Sequence, residues 1–317
     1  MRPTVRVLRA LGLGDFLTGV PALRAIRRAR PDHEVVLAAP AALAGIVSLA
    51  GAVDRIHPTA SLDDFAYDAH PDIAVNLHGR GPQSHRALAG CCPRELVAFA
   101  TNDLGLAGPR WRADEHEVQR WCRLVAETWS VAADPTDLLL DRPDRPPPPA
   151  DTVVVHPGAA FRARRWPAGR FAEVARRLEE AGLRVVVTGS AAERVVATEV
   201  CDRAGLGGDA MLAGRTDLPG LAALVAGARL VVSGDTGVAH LASAYRTPSV
   251  VLFGPVSPAL WGPPQAGPHV ALWHGSGGGD PWGEEVDAAL LRISTEEVVE
   301  EALALLDRTA PAAERSA

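Results

Sequence analysis

The sequence contains no lysine. All 32 of its basic residues are arginine, which excludes a lysine Schiff base and leaves any cationic contact to the forked guanidinium, a shape suited to phosphate oxygens. Cysteine is scarce: Cys91, Cys92, Cys122 and Cys201. None lies in a C-x-x-C pair, and their spacing fits neither a zinc site nor a disulfide framework, so all four are expected to be small buried apolar residues in a reducing compartment. No stretch approaches the ~20 uninterrupted apolar residues of a membrane span. The N-terminal "MRPTVRVLRALGLGDF" carries no long apolar region leading to a cleavage site, so a cytoplasmic location is expected. Positive charge is not in excess: the net charge of −6 argues against a general nucleic-acid binder. There is no G-x-S-x-G elbow and no H-E-x-x-H or H-x-x-x-H pair, so a serine-hydrolase triad and a metal site are both disfavoured.

What is present is length and alternation. A chain of 317 residues, 47% of them apolar, is enough for two domains. β-rich runs at 4–10, 34–39, 72–79 and 95–101 alternate with helical patterns at 17–30 and 114–129, the latter acidic in its first turn. "DRPDRPPPPAD" (141–151) holds four consecutive prolines, which can be neither helix nor central strand and read as a stiff linker. The alternation then resumes. Strands are expected at 152–158, 183–190, 229–235 and 248–255, and helices at 170–182, 193–205, 218–228 and 236–245. A final helix at 294–308 opens on a Ser294-x-x-Glu297 capping box. This predicts an α/β chain with two doubly wound parallel-sheet domains: residues 1–145, residues 151–309 and a tail at 310–317. Ligands of such sheets bind beyond the C-terminal strand ends.

Four strand-to-helix turns carry chemistry-bearing side chains. In "VVSGDTGVAH" (231–240), Gly234 and Gly237 permit a tight turn, and the helix that follows aims its first N–H groups at the turn, as an anion site requires. Thr236 adds a hydroxyl and His240 lies one turn further on. Asp235 either orients the ligand or caps the helix while His240 packs inward. In "ALGLGDFLTG" (10–19), Gly12 and Gly14 resemble a dinucleotide fingerprint, but its third glycine would fall at Leu17. That omission, with no acid placed for a ribose diol, disfavours a dehydrogenase. Asp15 in this turn either takes a proton from an acceptor hydroxyl or caps the helix. "HPGAAFRARRWP" (156–167) offers His156, Gly158 and three arginines, a clamp for a diphosphate or a solvated basic loop. "VTGSAAE" (187–193), with Thr188, Gly189 and Ser190, faces a nucleoside or is a plain connection. Arg24, Arg27 and Arg28 share one helix face, either solvated or set against an anionic acceptor or lipid headgroup.

Three blocks together carry a resemblance. "VLRALGLGDFLTGVPALRAIRRARPDHEVVLAAP" (7–40), "HPGA" with "RRWP" (156–167) and "LVVSGDTGVAHLASAYRTPSVVLFGPVSPALWGP" (230–263) resemble, in that order, the blocks of glycosyltransferase family 9, the heptosyltransferase-like family. The resemblance implies a GT-B fold, two Rossmann-like domains facing a central cleft, with the acceptor in the N-terminal domain and a nucleotide-diphospho-sugar donor in the C-terminal one. It implies inverting, metal-independent transfer, with ADP-heptose the best-known donor and no cofactor. Asp15 falls on the family's catalytic aspartate, and Arg164 on a basic position often held by lysine. Asp235, Thr236, Gly237 and His240 fall on its diphosphate-binding motif, with His156 and Gly158 beside them. Thr188, Gly189 and Ser190 are expected to face the nucleoside, and Gly14, Asn76 and His78 the acceptor. Pro219 stands where an acidic nucleoside contact is expected. The expected partners are the donor and a glycan, lipid-linked or small-molecule acceptor, with no nucleic acid and no membrane span beyond peripheral contact. A monomer is expected. The alternatives are a nucleotide-sugar 2-epimerase and a non-catalytic nucleotide-sugar-binding protein.

Overall fold

A computed structural model describes residues 2–65 and 70–310. The expected tail at 310–317 lies, from residue 311 on, outside the described residues. The chain divides into two compact units, Met1–Asp141 and Arg142–Ala317.

The first unit is built on five parallel strands in the order β3-β2-β1-β4-β5. They are β1 (Thr4–Leu8), β2 (Glu34–Ala39), β3 (Arg55–Pro58), β4 (Ile73–Asn76) and β5 (Glu95–Val97). β1 and β2 are buried almost throughout, as the middle of a parallel sheet demands, and apolar but for their first residues and the buried Arg6 of β1. The helices are α1 (Leu13–Ala29), α2 (Ala44–Val47), α3 (Gln83–Ala89) and α4 (Glu117–Trp129). The chain builds β2 and β3 on one side of β1, then crosses to build β4 and β5 on the other. The switch point therefore lies between β1 and β4, where Leu8 is in register with Asn76.

The second unit repeats the scheme in the order β10-β9-β8-β6-β7. Its strands are β6 (Thr152–His156), β7 (Arg184–Val187), β8 (Leu230–Gly234), β9 (Ser249–Phe253) and β10 (His269–Trp273). Its helices are α5 (Ala168–Glu180), α6 (Arg194–Ala204), α7 (Leu218–Gly227), α8 (Gly237–Tyr245), α9 (Pro258–Trp261), α10 (Ala288–Arg292) and α11 (Thr295–Thr309). β6, β8 and β9 are buried from end to end. Here the switch point is between β6 and β8, with His156 in register with Ser233. The proline run is not free of the unit, since a Cβ on Gly227 would meet Pro147 and Pro148.

Several local expectations are corrected. α1 begins at Leu13, so Gly14 and Asp15 lie inside its first turn and Gly12 is the N-cap, with no side-chain cap bond. Asp235 is not a cap either, because Thr236 occupies that position. Ser294 does cap α11, accepting from the Glu297 N–H at 3.1 Å, but the Glu297 carboxylate sits 2.9 Å from His274 Nε2 instead of closing a capping box. Cys92 is exposed, whereas Cys91, Cys122 and Cys201 are buried. The sequence pattern also misses β3 and β10. Both are sheet edges and only partly buried, so neither shows the continuous apolar run of a central strand.

Candidate functional site

In the first unit, the predicted acceptor-side residues gather at the C-terminal ends of β1 and β4. Asp15 is set there by the opening turn of α1, and its side chain keeps 31% of its exposure. Burial pushes its carboxyl above the usual carboxylate range, Arg9 pulls it back and Glu117 pushes it up again. Asn76 is buried. Its amide donates to the Ser84 hydroxyl at 2.9 Å and its oxygen accepts from the His78 N–H at 3.0 Å. Asn76 therefore shapes the chain beyond β4 and positions His78. Burial and then the nearby Arg9 hold His78 at about 4, so its ring is neutral at physiological pH. Gly14 lies beside Asp15 in the same helical turn. Arg24, Arg27 and Arg28 do not present an open cationic face: Arg24 and Arg28 both pair with Asp137, and Arg27 pairs with Asp54.

In the second unit, the switch point brings Arg164 and Asp235 together across 71 residues of sequence, with Arg164 Nη1 3.9 Å from Asp235 Oδ2. Arg164 closes a one-turn 3₁₀ segment, Arg162–Arg164. Three bonds fix that segment to the stretch 281–287: Ala163 N–H to the Gly283 carbonyl at 3.1 Å, Arg164 Nε to the Pro281 carbonyl at 3.3 Å, and Asp287 N–H to the Ala163 carbonyl at 3.2 Å. Gly234 eases this approach, because a Cβ there would lie 3.3 Å from the Arg164 carbonyl, a tight contact. Phe161 lies under the guanidinium, 5.6 Å from ring centre to carbon.

The turn itself has the geometry that an anion site requires. α8 starts at Gly237 behind Thr236, so its first N–H groups and the positive end of its dipole face the turn that holds Asp235. The Thr236 hydroxyl oxygen is buried with no hydrogen-bond partner in the structure. An unmet buried hydroxyl costs about 1–3 kcal/mol, and a ligand oxygen at this turn would satisfy it. His240 stands one helical turn on, its ring 6.0 Å from Trp261.

His156 and Gly158 part from this group and join the β7 turn. His156 is buried, with Nδ1 3.0 Å from the Thr188 hydroxyl, and burial keeps its ring neutral by lowering it below the usual histidine range. Thr188, Gly189 and Ser190 lead into Glu193, a residue that the sequence reading left out of the site. The Glu193 carboxylate accepts from the Ser190 N–H at 2.7 Å. Burial pushes that carboxyl up, but the Ser190 N–H and hydroxyl, His156 and Arg165 together outweigh it and the net direction is down. A Cβ on Gly158 would collide with it. The signal was in the sequence: Ser190-x-x-Glu193 is a capping box, and this one closes. Near Pro219, the acid at the head of α7 is Asp217, which caps the helix by accepting from the Gly220 N–H at 2.8 Å. Among the described residues, no group of three His, Cys, Asp or Glu side chains is placed to hold a metal ion. No helix among them is long and apolar enough to cross a membrane.

Comparison with known proteins places these two turns in context. The model of glycosyltransferase family 9 (heptosyltransferase) matches residues 109–274, just over half of the chain. The matched stretch contains Arg164, Asp235, Thr236, Gly237 and His240 and stops short of Asp15. Lipopolysaccharide heptosyltransferase 1 of Pseudomonas aeruginosa is 37% identical over 154 residues, which is 47% of this chain and 42% of that protein. The chain thus spans less than half the length of this curated relative. Two solved structures share the fold over nearly the whole chain. One is the glycosyl transferase family 9 protein of Veillonella parvula, with a TM-score of 0.80 and 20% identity over 97% of this chain and 98% of that one. The other is E. coli ADP-heptose lps heptosyltransferase II, with a TM-score of 0.74 and 22% identity over 99% and 100%. Both are two-domain GT-B proteins in architecture, as is this chain.

Proposed function

The chain belongs to glycosyltransferase family 9, the heptosyltransferase family, and from that premise we propose that it transfers a heptose from ADP-heptose, with inversion, to a hydroxyl of a cell-envelope glycan in the cytoplasm. The observation that carries the reading is the anion grip of the second unit. Arg164, the head of α8 and the unpartnered Thr236 hydroxyl converge on one turn, with no lysine anywhere in the chain to do the same work.

The chemistry follows from those positions. Asp15, raised by burial, is a stronger base than a solvated carboxylate once ionised. It takes the proton of the acceptor hydroxyl as that oxygen bonds to the anomeric carbon of the donor. The bond between that carbon and the diphosphate oxygen breaks on the opposite face, and ADP departs with the bonding pair. Arg164, the first N–H groups of α8 and Thr236 meet the charge that develops on the diphosphate. Donors placed in advance at such charge are each worth ~3–4 kcal/mol of barrier. Asp235 holds Arg164 in line with the turn, and His240 reaches the same ligand from the next turn of α8. Glu193, Thr188 and Ser190 form the polar wall of the neighbouring turn, where the nucleoside is expected. No metal is assigned to the reaction.

The test is ADP release from ADP-heptose with lipopolysaccharide inner-core oligosaccharide as acceptor, read against donor alone. Acceptor-dependent release, lost in Asp15→Asn, with a product of inverted anomeric configuration by NMR, is expected. Donor consumed equally without acceptor, or Asp15→Asn turning over at the parent rate, would sink the reading.

A further inference from the structure

Asp15 is tied to one wholly buried cation. Arg9, the first residue after β1, has no exposed surface. Its Nε donates to the Asp15 carbonyl oxygen and its Nη1 to the Leu77 carbonyl just beyond β4. Its Nη2 lies 3.0 Å from the Thr18 hydroxyl, 3.2 Å from Glu117 Oε1 and 4.0 Å from Asp15 Oδ1. One guanidinium thus joins the end of β1, the first turn of α1, the chain after β4 and the head of α4. Glu117 is held in turn, accepting from Trp121 Nε1 at 2.7 Å and pairing with Arg120. Trp121 also covers Arg9, its ring centre 4.9 Å from the guanidinium carbon.

Burying a guanidinium and a carboxylate is an expensive way to fill a core, and apolar side chains of the same volume do it as well or better. Stability therefore does not account for the pair. Its place does: Arg9 contacts both the carbonyl and the carboxylate of Asp15, and also Thr18, whose hydroxyl donates to that same carbonyl. We infer that Arg9 is the positioning residue for Asp15, and that Glu117 and Trp121 on α4 hold Arg9 in that role. The inference rests on Asp15 being the base of the transfer.

The charges facing Asp15 support the assignment and make it testable. Arg9 at the end of β1 favours the ionised carboxylate, and Glu117 on α4 opposes it. Arg120 is spent on Glu117. His78, beyond β4, is neutral at working pH and adds no charge. Asp15 therefore sits between one cation and one anion, and removing either shifts it in opposite directions. A residue that merely packs would shift it in neither pattern.

The experiment titrates the Asp15 carboxyl by ¹³C NMR in the full-length chain, beside the pH profile of kcat/KM with ADP-heptose and inner-core oligosaccharide. Arg9→Gln is expected to move the Asp15 midpoint and the acid limb of the profile up by about one unit or more. Glu117→Gln is expected to move both down. Arg9→Gln should also lower kcat at neutral pH by at least about tenfold and leave the KM for ADP-heptose within about twofold. Arg9→Lys should restore the midpoint but not kcat, because an ammonium, a single point with three donors, cannot span the four partners of the guanidinium. If Arg9→Gln fails to fold, Arg9→Lys and Glu117→Gln carry the same test. Midpoints that stay put in both charge variants, or move with the same sign, overturn the inference, as does full turnover in Arg9→Lys. The midpoint needs no turnover, so a normal rate in Asp15→Asn would overturn the base assignment alone and is told apart.

Discussion

At the scale of single residues, the first unit shows how a side chain can be dictated by what it must leave room for. Gly19 lies in the middle of α1, where alanine would favour the helix by about 1 kcal/mol. A Cβ there would stand 3.1 Å from both Cδ and Nε of Arg9. Arg9 cannot give way, since its nitrogens are bonded to Asp15, Leu77, Thr18 and Glu117. Overpacking of this kind costs about 1–3 kcal/mol. Gly19→Ala is therefore expected to be net destabilising in urea melts, despite its better helix propensity, and to lower kcat through Arg9. A stabilised variant with normal turnover would show that Arg9 is free to move. Asp15 itself was legible in the sequence by its place after β1. Arg9 and Glu117 were not, because they are 108 residues apart and nothing local marks either as part of a site.

At the scale of elements, end chemistry separates what a motif promises from what the fold allows. Ser294 and Glu297 have capping-box spacing, but only the Ser294 half forms, because Glu297 faces His274 beyond β10. The two contributions should then be independent. Ser294→Ala is expected to cost about 1 kcal/mol. Glu297→Ala should cost less than ~1 kcal/mol, as expected of a partly exposed pair. The double variant should equal their sum within ~0.5 kcal/mol. Strong coupling in that cycle would mean a reciprocal box after all. Ser190 and Glu193 have the same spacing and do close the box, which places a carboxylate against Gly158 in the candidate site. The central strands were legible because burial on both faces makes them continuous apolar runs. The edge strands β3 and β10 were not, because a half-buried edge needs no such run.

At the scale of the whole molecule, the proposed reaction assigns the grip on the leaving group to the second unit and the proton acceptor to the first. Nucleotide binding should then follow the grip alone. ADP at about 100 times its Kd should stabilise the full-length chain by about 2.7 kcal/mol. Asp15→Asn should keep that shift in a thermal melt, while Arg164→Gln and Thr236→Val should lose most of it at the same ADP concentration. A shift lost in Asp15→Asn, or kept in both of the others, would contradict this division of labour.

By itself the sequence determined the α/β class, the alternation of two parallel-sheet halves, the family blocks and the strand-to-helix turns where ligands of such sheets bind. These follow from local periodicity and from glycine at tight turns, and both are written in consecutive residues. Only the tertiary structure decided which of those turns meet. It set Arg164 beside Asp235, turned His156 toward Thr188, drew Glu193 into the site, and gathered Arg9, Glu117 and Trp121 behind Asp15. These are contacts between distant segments, fixed by strand order at the two switch points and by the need of every buried charge for a partner, and no short stretch of sequence contains either.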